Sequence, residues 1–187
     1  MPLTRLAPAQ SLCAHIKKIM NIIPKEIIEY WFSSTPELDK EIVEKYEALW
    51  EKASLGELDD WGNDSDGCLA LIIILDQFPL NMFRGQAKCF ETERRAVEIA
   101  RNAVNKKLDR KIEKEKMAFI YMPFMHSEDL TDQDMSVKLY RDNKLGENIR
   151  FAEHHREIIR KFGRFPQADT PDSTASTFNL NISIINE

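Results

Sequence analysis

Apolar residues recur along this chain at the three-and-four spacing of one helix face after another. Ile27, Ile28 and Trp31 share a face behind Pro24, which suits a first helical turn. Thr35, Pro36 and Glu37 form a start signal. Leu38, Ile42, Tyr46, Leu49 and Ala53 then mark an amphipathic helix running to Gly56, with Trp50 at the border of its stripe. Gly56 to Gly67 is rich in turn formers, and Leu58 and Trp61 are expected to anchor that loop on the core.

The pattern changes between Ala70 and Gly85, which read ALIIILDQFPLNMFRG. Six consecutive apolar residues, Ala70 to Leu75, leave no polar face, so the element they form is buried on all sides. Ile72, Ile73 and Ile74 favour a strand, but no second strand precedes the tail, and a lone strand would leave its backbone groups unpaired. The spacing therefore predicts a helix that Asp64, Ser65 or Asp66 caps and Pro79 ends. Asp76, Gln77, Asn81 and Arg84 deliver polar groups to the edge of the core, where each needs a partner.

Beyond Gly85, Thr92 is expected to cap a helix that turns Ala96, Val97, Ala100, Val104 and Leu108 inward. A further helix from Asp109 to Met122 packs Ile112, Phe119 and Ile120 and stops at Pro123. Pro123 to Leu130, PFMHSEDL, is a second polar knot. Met135, Leu139 and Tyr140 mark the next helix, ending near Gly146. Glu147 to Phe162 is the last, with Ile149, Ala152, Ile159 and Phe162 on one side, Phe151 and Ile158 beside them, and Gly163 at its C-terminal position. His155 falls on the centre of that apolar stripe and His154 on its flank. Residues 1–20, with Pro2 and Pro8 and no acid, read as a leader, and Met20 offers an alternative start. Residues 21–166 read as a single helical domain, and residues 167–187 as a divergent tail.

Composition narrows the functional classes. A net charge of −5 gives no basic stripe for nucleic acid, and no run reaches the roughly 20 apolar residues of a bilayer span. Cys13, Cys68 and Cys89 are odd in number and widely spaced, which predicts a reduced, cytoplasmic chain.

Three motifs, LDQFPLNMFRG, YMPFMHSEDLTDQDMSVKLY and HREIIRKFGRFP, together resemble the bacterial family known as domain of unknown function 924, over about Ile27 to Pro166. The resemblance implies an all-α fold, a tetratricopeptide-repeat-like antiparallel array of about seven helices, and no established activity. By motif match, the family's recurring polar positions fall on Asp76, Gln77, Asn81, Arg84, His126, Ser127, Glu128, Asp129, His155, Arg164 and Pro166. The chain departs from the pattern where Gln167-Ala168-Asp169 replaces a His-Arg-Asn segment, and where Trp31 to Leu38 is shorter than usual.

Two functional classes follow. In the first, the chain is a scaffold whose groove binds a peptide or protein, and the polar residues pin helix ends. Trp31, Trp50, Trp61 and Tyr121 are then either contact aromatics or core. In the second, it binds a small molecule or acts as a hydrolase-like enzyme: Arg84 and Arg164 hold an anionic group, Asp76, Gln77, Asn81 and Ser127 bind the ligand, and His126, Glu128 and His155 are the catalytic candidates. Ser127 sits in no nucleophile elbow. His126-Ser127-Glu128 is similar to half of a zinc-deaminase signature, but Pro-Cys-x-x-Cys and His-Glu-x-x-His are both missing, so no metal and no cofactor is expected. Asp132 and Asp134 read as early-helix acids, and Lys111 to Lys116 as a solvated face. The scaffold is the expectation adopted.

Overall fold

The computed structural model describes residues 22–33 and 39–165. The leader, the Thr35-Pro36-Glu37 start signal, Leu38, Pro166 and the tail lie outside the described residues. Among those described, every regular element is helical: α1 (Pro24–Ser33), α2 (Asp39–Ser54), α3 (Ser65–Ile72), a π-helical turn (Ile73–Gln77), α4 (Phe78–Met82), α5 (Glu93–Asn105), α6 (Lys114–His126), α7 (Leu130–Asp142) and α8 (Asn148–Phe162). Because α3, the π turn and α4 follow without a break, they form one rod of seven in all. Short 3₁₀ turns at Asp59–Asn63, Ala87–Phe90 and Asp109–Lys111 link the others.

The apolar run lies where its pattern demands. Ala70 to Leu75 are each at most 1% exposed, enclosed by α1, α2, α5 and α6. Helix rather than strand results because the chain caps it at once: the Asp64 side chain accepts from Gly67 N at 2.8 Å. Gly67 is required there, since a Cβ would stand 1.9 Å from the Trp61 carbonyl oxygen. Phe78, at the far end of the rod, gathers the rings of Tyr46, Trp31 and Tyr30 at centroid distances of 5.1, 5.9 and 6.4 Å. Trp50 and Tyr121 are core residues, 3% and 0% exposed.

Several expectations are corrected. Pro79 does not end the central helix: it occupies the first turn of α4, where its missing N–H is tolerated. The cost falls on the Leu75 carbonyl, whose ordinary donor would be the N–H of residue 79. Thr92 repairs this by donating its hydroxyl to Leu75 O at 2.6 Å while accepting from Trp50 Nε1 at 3.1 Å. Thr92 is thus diverted from capping α5, for which it makes no side-chain bond. Pro123 likewise lies inside α6, which continues to His126, and the segment from Asp109 starts as a 3₁₀ turn because α6 begins only at Lys114. Phe162 leaves its stripe and is 54% exposed at the C-terminal end of α8, where Gly163 turns the chain at φ +73°.

Candidate functional site

The π turn determines where the first polar motif points. Its extra residue per turn, marked by the bond from Phe78 N to Ile73 O, keeps Asp76 and Gln77 inside the core, 5% and 3% exposed. The C-terminal end of α6 meets them there. His126 Nδ1 lies 2.9 Å from Asp76 Oδ1, and Gln77 Nε2 donates to Asp76 Oδ2 at 2.5 Å. Burial alone would depress the His126 pKa; the Asp76 carboxylate, with Glu93 behind it, overrides that and holds the ring above its ordinary value. The result is a buried ion pair joining the π turn to α6.

The HSED corner continues the network outward. Ser127 Oγ donates to Asp132 Oδ2 at 3.0 Å and accepts from Asp129 N at 3.2 Å; Asp129 caps α7 by accepting from Thr131 N at 2.7 Å. Arg101 of α5 pairs with the other oxygen of Asp132. Glu128 is exposed, and its Oε1 accepts from Phe165 N at 2.9 Å, tying the end of the described chain to this corner. Phe165 also packs its ring on His155, 5.4 Å away. His155 is 1% exposed and donates Nδ1–H to Phe151 O at 2.8 Å. Burial pushes its pKa down to about 4, and the nearby His126 and His154 act in the same direction, so the ring is neutral at pH 7.

Asp76, Gln77, His126 and Ser127 are thus buried together, with Glu128, Asp129 and His155 placed around them. Asn81 is buried beside the group, donating to Gln77 O at 3.0 Å. Arg84 is exposed and donates to Asn81 Oδ1 at 3.2 Å; Arg164 is exposed at the start of the final descent to Phe165. Among the described residues no three His, Cys, Asp or Glu side chains gather as metal ligands. Cys68 and Cys89 are buried and free, their thiols pushed up to about 11 by burial, which makes them poor nucleophiles.

Reading the sequence missed three members of this cluster. Glu93 opens α5 half-buried; its burial, together with the Asp76, Glu128 and Asp132 carboxylates, raises its pKa to about 7 against the pull of His126. A glutamate in a first helical turn reads as a routine dipole-favoured acid, so nothing distinguished it. Gln133 and Ser136 are both fully buried, and Gln133 Nε2 donates to the carbonyls of Met125 and Ser127, on either side of His126, at 2.7 Å each. Their signal was legible: Gln133, Ser136 and Tyr140 share the inner face of α7 at helical spacing.

Apart from this buried cluster, a concavity lies between α7 and α8. It is a surface groove of about 570 Å³, lined by Val137 and by charged residues including Asp134, Lys138, Arg141, Glu153 and Arg156. Arg156 pairs with Asp134, and Arg141 with Glu153 at 2.6 Å, so the rungs descend α8 as they climb α7 and the two helices run antiparallel.

These features define an all-helical protein with a carboxylate–imidazole pair buried where helix ends meet. The chain belongs to the family described as bacterial protein of unknown function (DUF924), whose model matches residues 22–170. It is similar to the solved structure of a protein of unknown function from Agrobacterium tumefaciens, with 31% identity, a TM-score of 0.74, and coverage of 78% of this chain and 87% of that one. No curated protein matches it. Among the described residues no helix is long and apolar enough to cross a membrane.

Proposed function

We propose that the chain is a cytoplasmic, tetratricopeptide-repeat-like binding scaffold, its helical domain spanning 21–166, which takes a peptide or protein segment along α7 and α8. The α7–α8 groove carries this reading: it is open, elongated along two antiparallel helices, and presents alternating charges around Val137. Asp76 and His126, by contrast, are spent on each other inside the core, as helix-pinning groups are.

A peptide library selected on the full chain tests it. Ligands so obtained are measured by fluorescence anisotropy against the natural chain and against Val137→Glu. The scaffold reading expects at least a tenfold loss in that variant. Ligands indifferent to the substitution, or an empty library, overturn it.

One observation favours a second reading, that of a small-molecule binder or hydrolase-like enzyme. Glu93 is half-buried and titrates near pH 7 beside His126, as a proton-transfer group should.

A further inference from the structure

The helix-end cluster carries hydrogen-bonding groups that the fold itself leaves unfilled, and their chemistry specifies what fills them. His155 commits its Nδ1 hydrogen to Phe151 O, so the neutral ring holds a lone pair on Nε2. That nitrogen is fully buried with no hydrogen-bond partner, and the charges of nearby His126 and His154 act on its ring. Gln133 donates through Nε2 to Met125 O and Ser127 O, and its Oε1 is likewise buried and unfilled. Ser136 Oγ, one turn further along α7, is a third. Among the described residues the Glu93 side chain makes no hydrogen bond and no close ion pair.

Acceptors predominate among these atoms: Nε2 of His155, Oε1 of Gln133 and the ionised Glu93 carboxylate accept and cannot donate, the Ser136 hydroxyl can do either, and Nε2 of the protonated His126 ring is a donor beside them. Charge agrees with this count: His126 stands against both Asp76 and Glu93, and Arg101 pairs with Asp132, so the four carboxylates Asp76, Glu93, Glu128 and Asp132 outnumber these cations. An anion would meet more acceptors; a donor bearing positive charge would satisfy them.

We propose that Glu93, Gln133, Ser136 and His155, gathered about His126, form a binding site for a small ligand carrying a cationic nitrogen, a primary ammonium or a guanidinium. The cation donates to the unfilled acceptors and takes Glu93 as its counter-ion. This site is separate from the α7–α8 groove, so it stands or falls independently of the scaffold reading.

Isothermal titration of the full chain with n-butylamine and n-butylguanidine, against n-butanol and butyrate, tests the assignment. Both cationic probes are expected to bind and both controls to fail. Affinity should rise about tenfold from pH 6 to pH 8, as Glu93, titrating near 7, becomes ionised. The groups facing Glu93 are Asp76 from the π turn, His126 from α6, Glu128 from the corner and Asp132 from α7. Of these, His126 is held protonated above its ordinary range, and wherever it loses its proton the affinity changes with the same sign. Glu93→Gln is expected to weaken binding at least tenfold with the melting temperature little changed; should that variant not fold, the pH series on the natural chain decides. Binding that is flat with pH or equal in Glu93→Gln, a preference for butyrate, or no binding at all, as ordered water alone would give, overturns the proposal.

Discussion

Asp76–His126 and Asp134–Arg156 are both pairs of opposite charge that join separate elements, yet their surroundings differ. The first pair has side chains 3% and 5% exposed; the second, 53% and 37%. Water and salt screen the outer pair, whose partners can part and be resolvated at little cost. The inner pair has no such refuge, since either group left alone is a charge in a medium that cannot solvate it. The same chemistry therefore fixes helix ends inside and leaves an adjustable surface outside.

The sharpest break of this contrast is Asp76→Ala. It strands His126 and the Gln77 amide in the core, and about 3–5 kcal/mol of stability should be lost in urea unfolding, in line with truncated buried pairs. A loss below about 1 kcal/mol would show that the centre is hydrated and that the contrast with the groove is false.

The acid limb of stability is the next test, and its sign follows from three groups. His155 is held near 4 when folded against about 6.5 in an unfolded chain, so its contribution is complete above pH 6.5 and is lost as pH falls through 4. His126 behaves oppositely: its raised pKa stabilises the fold at low pH, a contribution lost as pH rises through the folded value. Glu93, raised to about 7 from 4.5, adds to that alkaline loss as pH climbs from 4.5 through 7. The natural chain should lose about 3 kcal/mol through His155 between pH 6.5 and pH 4. His155→Leu, which has no proton to take up, should lose correspondingly less over the same interval, as measured by chemical unfolding at each pH.

How much of this was readable beforehand depends on whether the signal was local. The all-helical fold was legible because Ala70 to Leu75 cannot be solvated and because no strand could pair with them. The second polar corner was legible too, through HSED and the position of His155 on its stripe. What escaped was governed by tertiary context. Pro79 and Pro123 are helix breakers by local rule, but a π turn with a Thr92 hydroxyl supplied from another helix absorbs the first, and the second sits in the last turn of α6. Glu93 is ordinary in sequence; only the convergence of Asp76, Glu128 and Asp132 makes it unusual. Gln133 and Ser136 needed only closer attention to polar residues on an apolar face.

The smallest effect lies in the groove. Arg156 pairs with Asp134 and also approaches Glu157 at 3.5 Å, so Arg156→Ala removes two contacts at once. Contact counting alone would make it as costly as Asp76→Ala, which removes two hydrogen bonds. Exposure separates the two: water replaces the guanidinium on both carboxylates, and the change should stay within about 0.5 kcal/mol and shrink further in 0.5 M salt. Unfolding at low and high salt separates the cases. A loss of about 2 kcal/mol that salt does not diminish would mean that the α7–α8 rungs hold the helices together as the inner pair does, and that the groove is framework rather than a surface kept free for a partner.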